Sequence, residues 1–153
     1  MALNSTDVGL LNLLQADARM SNKDLADAVG LSPSACLERV RRLVRDGVIT
    51  GFHASVDPDA VGAKLETMLT IGLQKHSRRV IDDFQKHCLD LEEVVAVWHL
   101  TGTSDFVLRV MTRDHNHLRD FLMDSFTTRA EVSQLQTHVV LAATDKFKWP
   151  IWP

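Results

Sequence analysis

The stretch "VGLSPSACLERVRRLVRDG", Val29 to Gly47, leaves the backbone very little choice. Gly30 stops one helix, and two residues later Ser32 caps another whose first position, Pro33, needs no N–H partner. The second of these helices is expected to run to Asp46 and to end at Gly47, which tolerates a left-handed turn. The first opens at Ser21 as a capping box with Asp24 and turns Leu25, Ala26 and Val29 inward. Two helices joined by so short a glycine-containing turn predict a helix-turn-helix. Ahead of them Val8, Leu10, Leu11 and Leu14 recur at helical spacing, with Thr6 as the expected N-cap. Gly9 weakens that helix by roughly 1 kcal/mol relative to Ala.

The helix after Pro33 is amphipathic. Cys36, Leu37, Val40, Leu43 and Val44 share one face, Ser34, Ala35, Glu38, Arg42 and Arg45 lie opposite, and Arg39 and Arg41 flank them. A net charge of −3 argues against a polyanion binder that uses its whole surface, but residues 1–62 place four of their six Lys/Arg in this one helix. Small, hydrogen-bonding and cationic residues at the exposed amino end suit base edges and phosphates in a major groove. Ser32, Ser34, Ala35, Glu38, Arg39, Arg41, Arg42 and Arg45 are therefore the candidate DNA contacts. The alternative is a solvated basic face on an ordinary helical hairpin. After Gly47, Val48 to Val56 predicts one or two short strands, a wing-like extension toward Asp57-Pro58.

The chain's 153 residues allow one ordinary domain or two small ones. Apolar content of 45% and charged content of 24% fit a soluble folded chain with no run long enough to cross a bilayer. Met1 to Thr6 lacks the basic-then-apolar pattern of a leader. Cys36 and Cys88, without ligand-like spacing, read as buried thiols in a reduced cytosolic protein. His115-x-His117 reads as helix-cap surface histidines rather than as a metal site, and His53, His76, His87, His99 and His138 are scattered. No nucleophile elbow, phosphate loop, dinucleotide fingerprint or paired catalytic carboxylates are present, so neither enzyme activity nor a cofactor is expected.

In the second half, Leu65 to Gln74, Val94 to Thr101, Phe106 to Thr112 and Val132 to Leu141 read as strands. Helix faces stand between them at Val80, Ile81, Phe84, Cys88 and at Leu118, Phe121, Leu122, Phe126. The order βαββαβ is ferredoxin-like: a four-stranded antiparallel sheet with both helices on one face. Met68, Val107, Met111 and Val140 fall on the other face, which is half-apolar and calls for a partner. "LTGTSDF", Leu100 to Phe106, is either an ordinary hairpin turn or a ligand contact in which Thr101, Thr103 and Ser104 hydrogen-bond, Gly102 permits close approach and Asp105 pairs with an ammonium. Trp149, Trp152 and the prolines Pro150 and Pro153 form a tail that is either packed on a neighbouring subunit or frayed.

Asp7, "ADARMSNKDLADAVGLSPSACLERVRRLVRDGVITGF", "VDPDAVG" and "TGTSDF" together resemble the leucine-responsive regulatory protein/AsnC (Lrp/AsnC) transcription regulators of bacteria and archaea. Departures are Asn4 where the family usually carries aspartate, Gly9 at a typically charged position, and the "KWPIWP" ending. The resemblance implies an α+β chain: an N-terminal winged helix-turn-helix domain over 1–50, a wing and linker over 51–62, and a C-terminal ferredoxin-like, RAM/ACT-like domain over 63–153. It implies double-stranded DNA as partner, a homodimer formed sheet to sheet that assembles further, for instance to an octamer, and a cytoplasmic, nucleoid-associated place. It also implies a small amino-acid effector held by Thr101, Gly102, Thr103, Ser104 and Asp105 with Thr137, His138 and Val139 of the last strand. Two other readings stay open: an architectural DNA-binding protein without effector, and an amino-acid-binding regulatory subunit of a metabolic enzyme.

Overall fold

The computed structural model describes residues 3–146 and 148–152; Met1 and Pro153, at the ends of the leader and tail readings, lie outside them. The chain divides into two compact units, Met1–Ser55 with Thr144–Pro153, and Val56–Ala143. Residues 144–153 thus group with the first unit, whereas the expected boundary of 63–153 assigned them to the second.

In the first unit, α1 spans Ser5–Ala16, α2 Asn22–Val29 and α3 Pro33–Arg45. The cap of α1 is Asn4 rather than Thr6. Asn4 has extended backbone and its Oδ1 accepts the Asp7 N–H at 2.9 Å, while Asp7 Oδ2 accepts the Asn4 N–H at 3.2 Å. This reciprocal pair needs acceptors three residues apart, and Thr6 already lies inside the first turn. A Cβ on Gly9 would meet Val29 Cγ1 at 3.3 Å, so the weak helix former permits a close α1–α2 approach. Ser21 and Ser32 cap α2 and α3 as expected, and both helices end in left-handed glycines. After α3, the Gly47 N–H bonds the Val44 carbonyl at 3.0 Å and the Val48 N–H the Leu43 carbonyl at 2.9 Å.

Leu10, Leu25, Ala26 and Cys36 form the small core of this unit, and Leu43 is also buried. The inward stripe of α3 is narrower than expected, because Leu37 and Val44 are exposed. No strand forms over Val48 to Val56 among the described residues, so the one or two strands expected there are not built within a single chain. Val48 and Ile49 both direct their N–H groups to the Leu43 carbonyl, which removes them from any ladder. A lone two-stranded ribbon would in any case be marginal.

The second unit holds β1 (Leu65–Leu73), α4 (Arg78–Leu89), β2 (Val94–His99), β3 (Phe106–Thr112), α5 (His115–Leu122) and β4 (Val132–Val139). The antiparallel sheet has the order β2-β3-β1-β4, the ferredoxin-like arrangement. Leu69, Ile71 and Leu73 alternate with Phe106, Leu108 and Val110 on one face and meet Phe84 and Cys88 of α4 and Phe121 of α5. A π-helical turn, Met123–Thr127, follows α5. Its wider winding brings Phe126 edge-on to Phe121 at 5.5 Å, although the two stand five positions apart. Cys36 and Cys88 are free and buried, and burial pushes the Cys88 thiol up to about 12. His117 is more than a cap residue, since its Nε2 lies 3.0 Å from Glu93 Oε1.

Within the second unit, no helix among the described residues covers the other face of the sheet. Register places Met68, Val107, Met111 and Trp98 there, around the Arg109–Glu66 pair at 2.7 Å.

Candidate functional site

Ser32 directs its hydroxyl to the Ala35 N–H at 3.3 Å, so its first task is to hold the start of α3. Ser34, Ala35 and Glu38 follow on the exposed amino half of the helix. Arg41 is exposed and bonds Glu38 Oε1 at 3.0 Å, and Arg45, also exposed, stands 3.8 Å from Asp46. These pairs are weak at such exposure, so both guanidiniums can exchange partners for a phosphate at little cost.

Arg39 and Arg42 behave differently. Arg42 Nη2 donates to both oxygens of Asp7, at 2.8 and 3.0 Å, and Arg39 Nη1 donates to Asp7 Oδ1 at 3.1 Å and to Asn4 Oδ1 at 3.2 Å. The Asp7 side chain is only 1% exposed. Burial by itself raises its carboxyl, but the Asn4 N–H and the charges of Arg39 and Arg42 outweigh that and hold it below the usual aspartate range. Two of the four arginines therefore clamp α3 to α1, and the outward cationic surface is Arg41 and Arg45. The helical wheel, which placed Arg42 opposite the core, misses this clamp. Its signal is nonetheless present: Asp7, Leu10, Leu11 and Leu14 share one face at i, i+3, i+4 and i+7, so an acid sits on the inward side of α1.

Between β2 and β3, the Leu100 N–H bonds the Asp105 carbonyl at 2.8 Å, closing a loop whose tip Thr101, Gly102 and Thr103 is exposed. Gly102 has φ +127°, a conformation that L side chains rarely adopt. Ser104 and Asp105 are half-buried. Asp105 locks this loop onto β1: its N–H bonds the Ile71 carbonyl at 2.9 Å, and its Oδ2 accepts the Leu73 N–H at 2.6 Å. Oδ1 faces His76 Nε2 at 2.8 Å. An ammonium ligand would meet a carboxylate that is already oriented and already partnered at both oxygens, by the Leu73 N–H at Oδ2 and by His76 at Oδ1.

Thr137, His138 and Val139 are exposed on edge strand β4, with Thr137 and Val139 pointing to the helix side and His138 to the open side. They are not brought to the loop within one chain. Two strand spacings and two to four residues of register separate them from the start of β3, roughly 12–16 Å. Thr137 instead borders a shallow concavity of about 360 Å³ with Leu118, Leu122 and Leu135.

The tail docks within the first unit. The Trp149 N–H bonds Gln15 Oε1 at 2.6 Å and Gln15 Nε2 returns a bond to the Trp149 carbonyl at 3.3 Å. Both tryptophan rings remain over 80% exposed, at 81% for Trp149 and 82% for Trp152. They edge a cavity of about 640 Å³ that also touches Leu11, Leu14 and Phe52.

Comparison with known proteins accounts for both units. Residues 3–50 match the family model described as winged helix-turn-helix DNA-binding, and residues 66–150 match that of the Lrp/AsnC ligand binding domain. The chain is 42% identical over 138 residues to the HTH-type transcriptional regulator AldR of Mycobacterium tuberculosis, covering 90% of this chain and 77% of that protein. It is 35% identical over 139 residues to the leucine-responsive regulatory protein of Escherichia coli, covering 91% and 85%. Among solved structures, a transcriptional regulator of Neisseria meningitidis in complex with L-Met superimposes with a TM-score of 0.88 at 28% identity, covering 95% of this chain and 94% of that one.

Proposed function

The chain belongs to the Lrp/AsnC family of DNA-binding transcriptional regulators, and from that premise we propose that α3 reads operator DNA while the second unit binds a free amino acid that changes DNA binding or assembly. The observation that carries the DNA half is the division of labour on α3. Arg39 and Arg42 fasten the helix through Asp7, while Ser34, Ala35, Glu38, Arg41 and Arg45 stay exposed on one rigid element. A pre-positioned helix with a small, polar amino end and exposed, weakly paired cations further along fits a major groove with flanking phosphates. Ser32, Arg39 and Arg42 contribute chiefly by setting the angle of the helix.

The effector half draws support from the Asp105-locked loop and from the L-Met complex of the Neisseria relative. Loop N–H groups face the ligand carboxylate, and Asp105 Oδ1 takes the ammonium. Because Thr137, His138 and Val139 lie too far along β4 to complete the same site, they serve the loop of another protomer or a different contact. The helix-free sheet face, with Met68, Trp98, Val107 and Met111, is the surface proposed for a homodimer, which would also bring two α3 helices to one operator. With DNA as its partner, the protein works in the compartment that holds the genome.

A salt-controlled anisotropy titration of promoter DNA tests the DNA half. An Arg41→Ala/Arg45→Ala variant should bind at least about tenfold more weakly, with a shallower salt slope and unchanged melting. Affinity equal to that of the wild type would exclude α3 as the reading helix.

A further inference from the structure

We infer that His76 is a built-in competitor for the amino group of the effector. The inference rests on the reading of Leu100–Phe106 as the effector loop. Asp105 has one carboxylate oxygen committed inward, Oδ2 to the Leu73 N–H at 2.6 Å, and its own N–H committed to the Ile71 carbonyl. These two bonds fix the carboxylate beside the point where β1 shifts register against β4, between Gly72 and Leu73. Oδ1 is the oxygen not committed to the backbone and the one open toward a ligand cation, and His76 Nε2 covers it at 2.8 Å.

The covering group is placed to move. His76 lies in the irregular link between β1 and α4, just before Ser77, whose hydroxyl accepts the Val80 N–H and caps α4. The imidazole can swing away without breaking a hydrogen bond of either element, and its side chain is 61% exposed against 18% for Asp105. An α-ammonium carries three donors and pairs strongly with a carboxylate, but it cannot take the same approach to Oδ1 while the imidazole is there. The apparent affinity for the amino acid is therefore the intrinsic affinity reduced by the fraction of molecules whose Oδ1 is open. An exposed pair of this kind is weak, which sets the penalty at about two- to fivefold. The device also discriminates by class: an α-keto acid has no donor for Oδ1, leaves His76 in place and gains nothing from its removal.

Calorimetric titration of full-length wild type, His76→Ala and His76→Arg with each of the twenty L-amino acids, L-methionine first, and with the α-keto analogue of whichever binds, tests this. Expected are an affinity about two- to fivefold tighter in His76→Ala, weaker in His76→Arg, and unchanged between wild type and His76→Ala for the keto acid. A merely structural role would weaken binding in both variants, and that result overturns the inference. Equal affinity in all three proteins also overturns it while leaving the loop reading intact. No binding of any amino acid by the wild type overturns the loop reading, and the competitor role falls with it.

Discussion

At the scale of single residues, the arginines of α3 divide according to one buried carboxylate on another helix. A helical wheel sorts side chains by angle alone, so it groups Arg42 with Arg45 and sets Arg39 and Arg41 on the two flanks. Asp7 pulls Arg39 and Arg42 into a clamp and leaves Arg41 and Arg45 outward. The residue types of the site were legible in the sequence; the partner across the helix pair was not, because nothing local to α3 encodes it. Asp7→Asn removes the charge that compensates two guanidiniums and should destabilise the first unit by about 2–4 kcal/mol near neutral pH, measured by urea unfolding. The Asp7 carboxyl is held below its unfolded value, so its contribution is present above about pH 4 and disappears as pH falls through the folded-state value. The difference between wild type and Asp7→Asn should accordingly shrink on acidification, and a difference constant down to strongly acid pH would contradict the clamp.

At the scale of elements, the ends of α2 and α3 were the most legible features, since Ser21, Gly30, Ser32, Pro33 and Gly47 act through their own backbone geometry. The βαββαβ succession of the second unit was equally legible, from β-rich runs that alternate with helix faces along the chain. The wing was not. Val48 to Val56 has the composition of a strand, but its first two N–H groups close the α3 terminus and no neighbouring strand is supplied in this chain. The π-helical turn at Met123–Thr127 leaves no mark in the sequence pattern, because Phe126 also satisfies an ordinary i+4 spacing from Leu122. Gly47, at φ +72° with open space around the position of a Cβ, isolates the cap term. Gly47→Ala should cost about 1–2 kcal/mol in urea unfolding without altering the helical circular-dichroism signal of the native state, because the strain lies in one dihedral.

At the scale of the whole molecule, the first unit carries the helix proposed to read DNA and the second the loop proposed for the effector, so regulation requires that the two binding events be linked. An amino acid can alter DNA affinity only by its differential affinity for states that bind DNA differently, and that coupling is reciprocal. An effector-free architectural protein would retain the α3 surface and lack this coupling, and a regulatory subunit of an enzyme would leave the outward arginines Arg41 and Arg45 without a role. The most direct measurement is the Kd of the full-length chain for promoter DNA at fixed salt, with and without each L-amino acid at saturating concentration, paired with the Kd of the responding amino acid with and without DNA. The account predicts that at least one amino acid changes the DNA Kd by about 5–150-fold, and that DNA changes the Kd of that amino acid by the same factor. DNA binding curves that coincide for all twenty amino acids would contradict it.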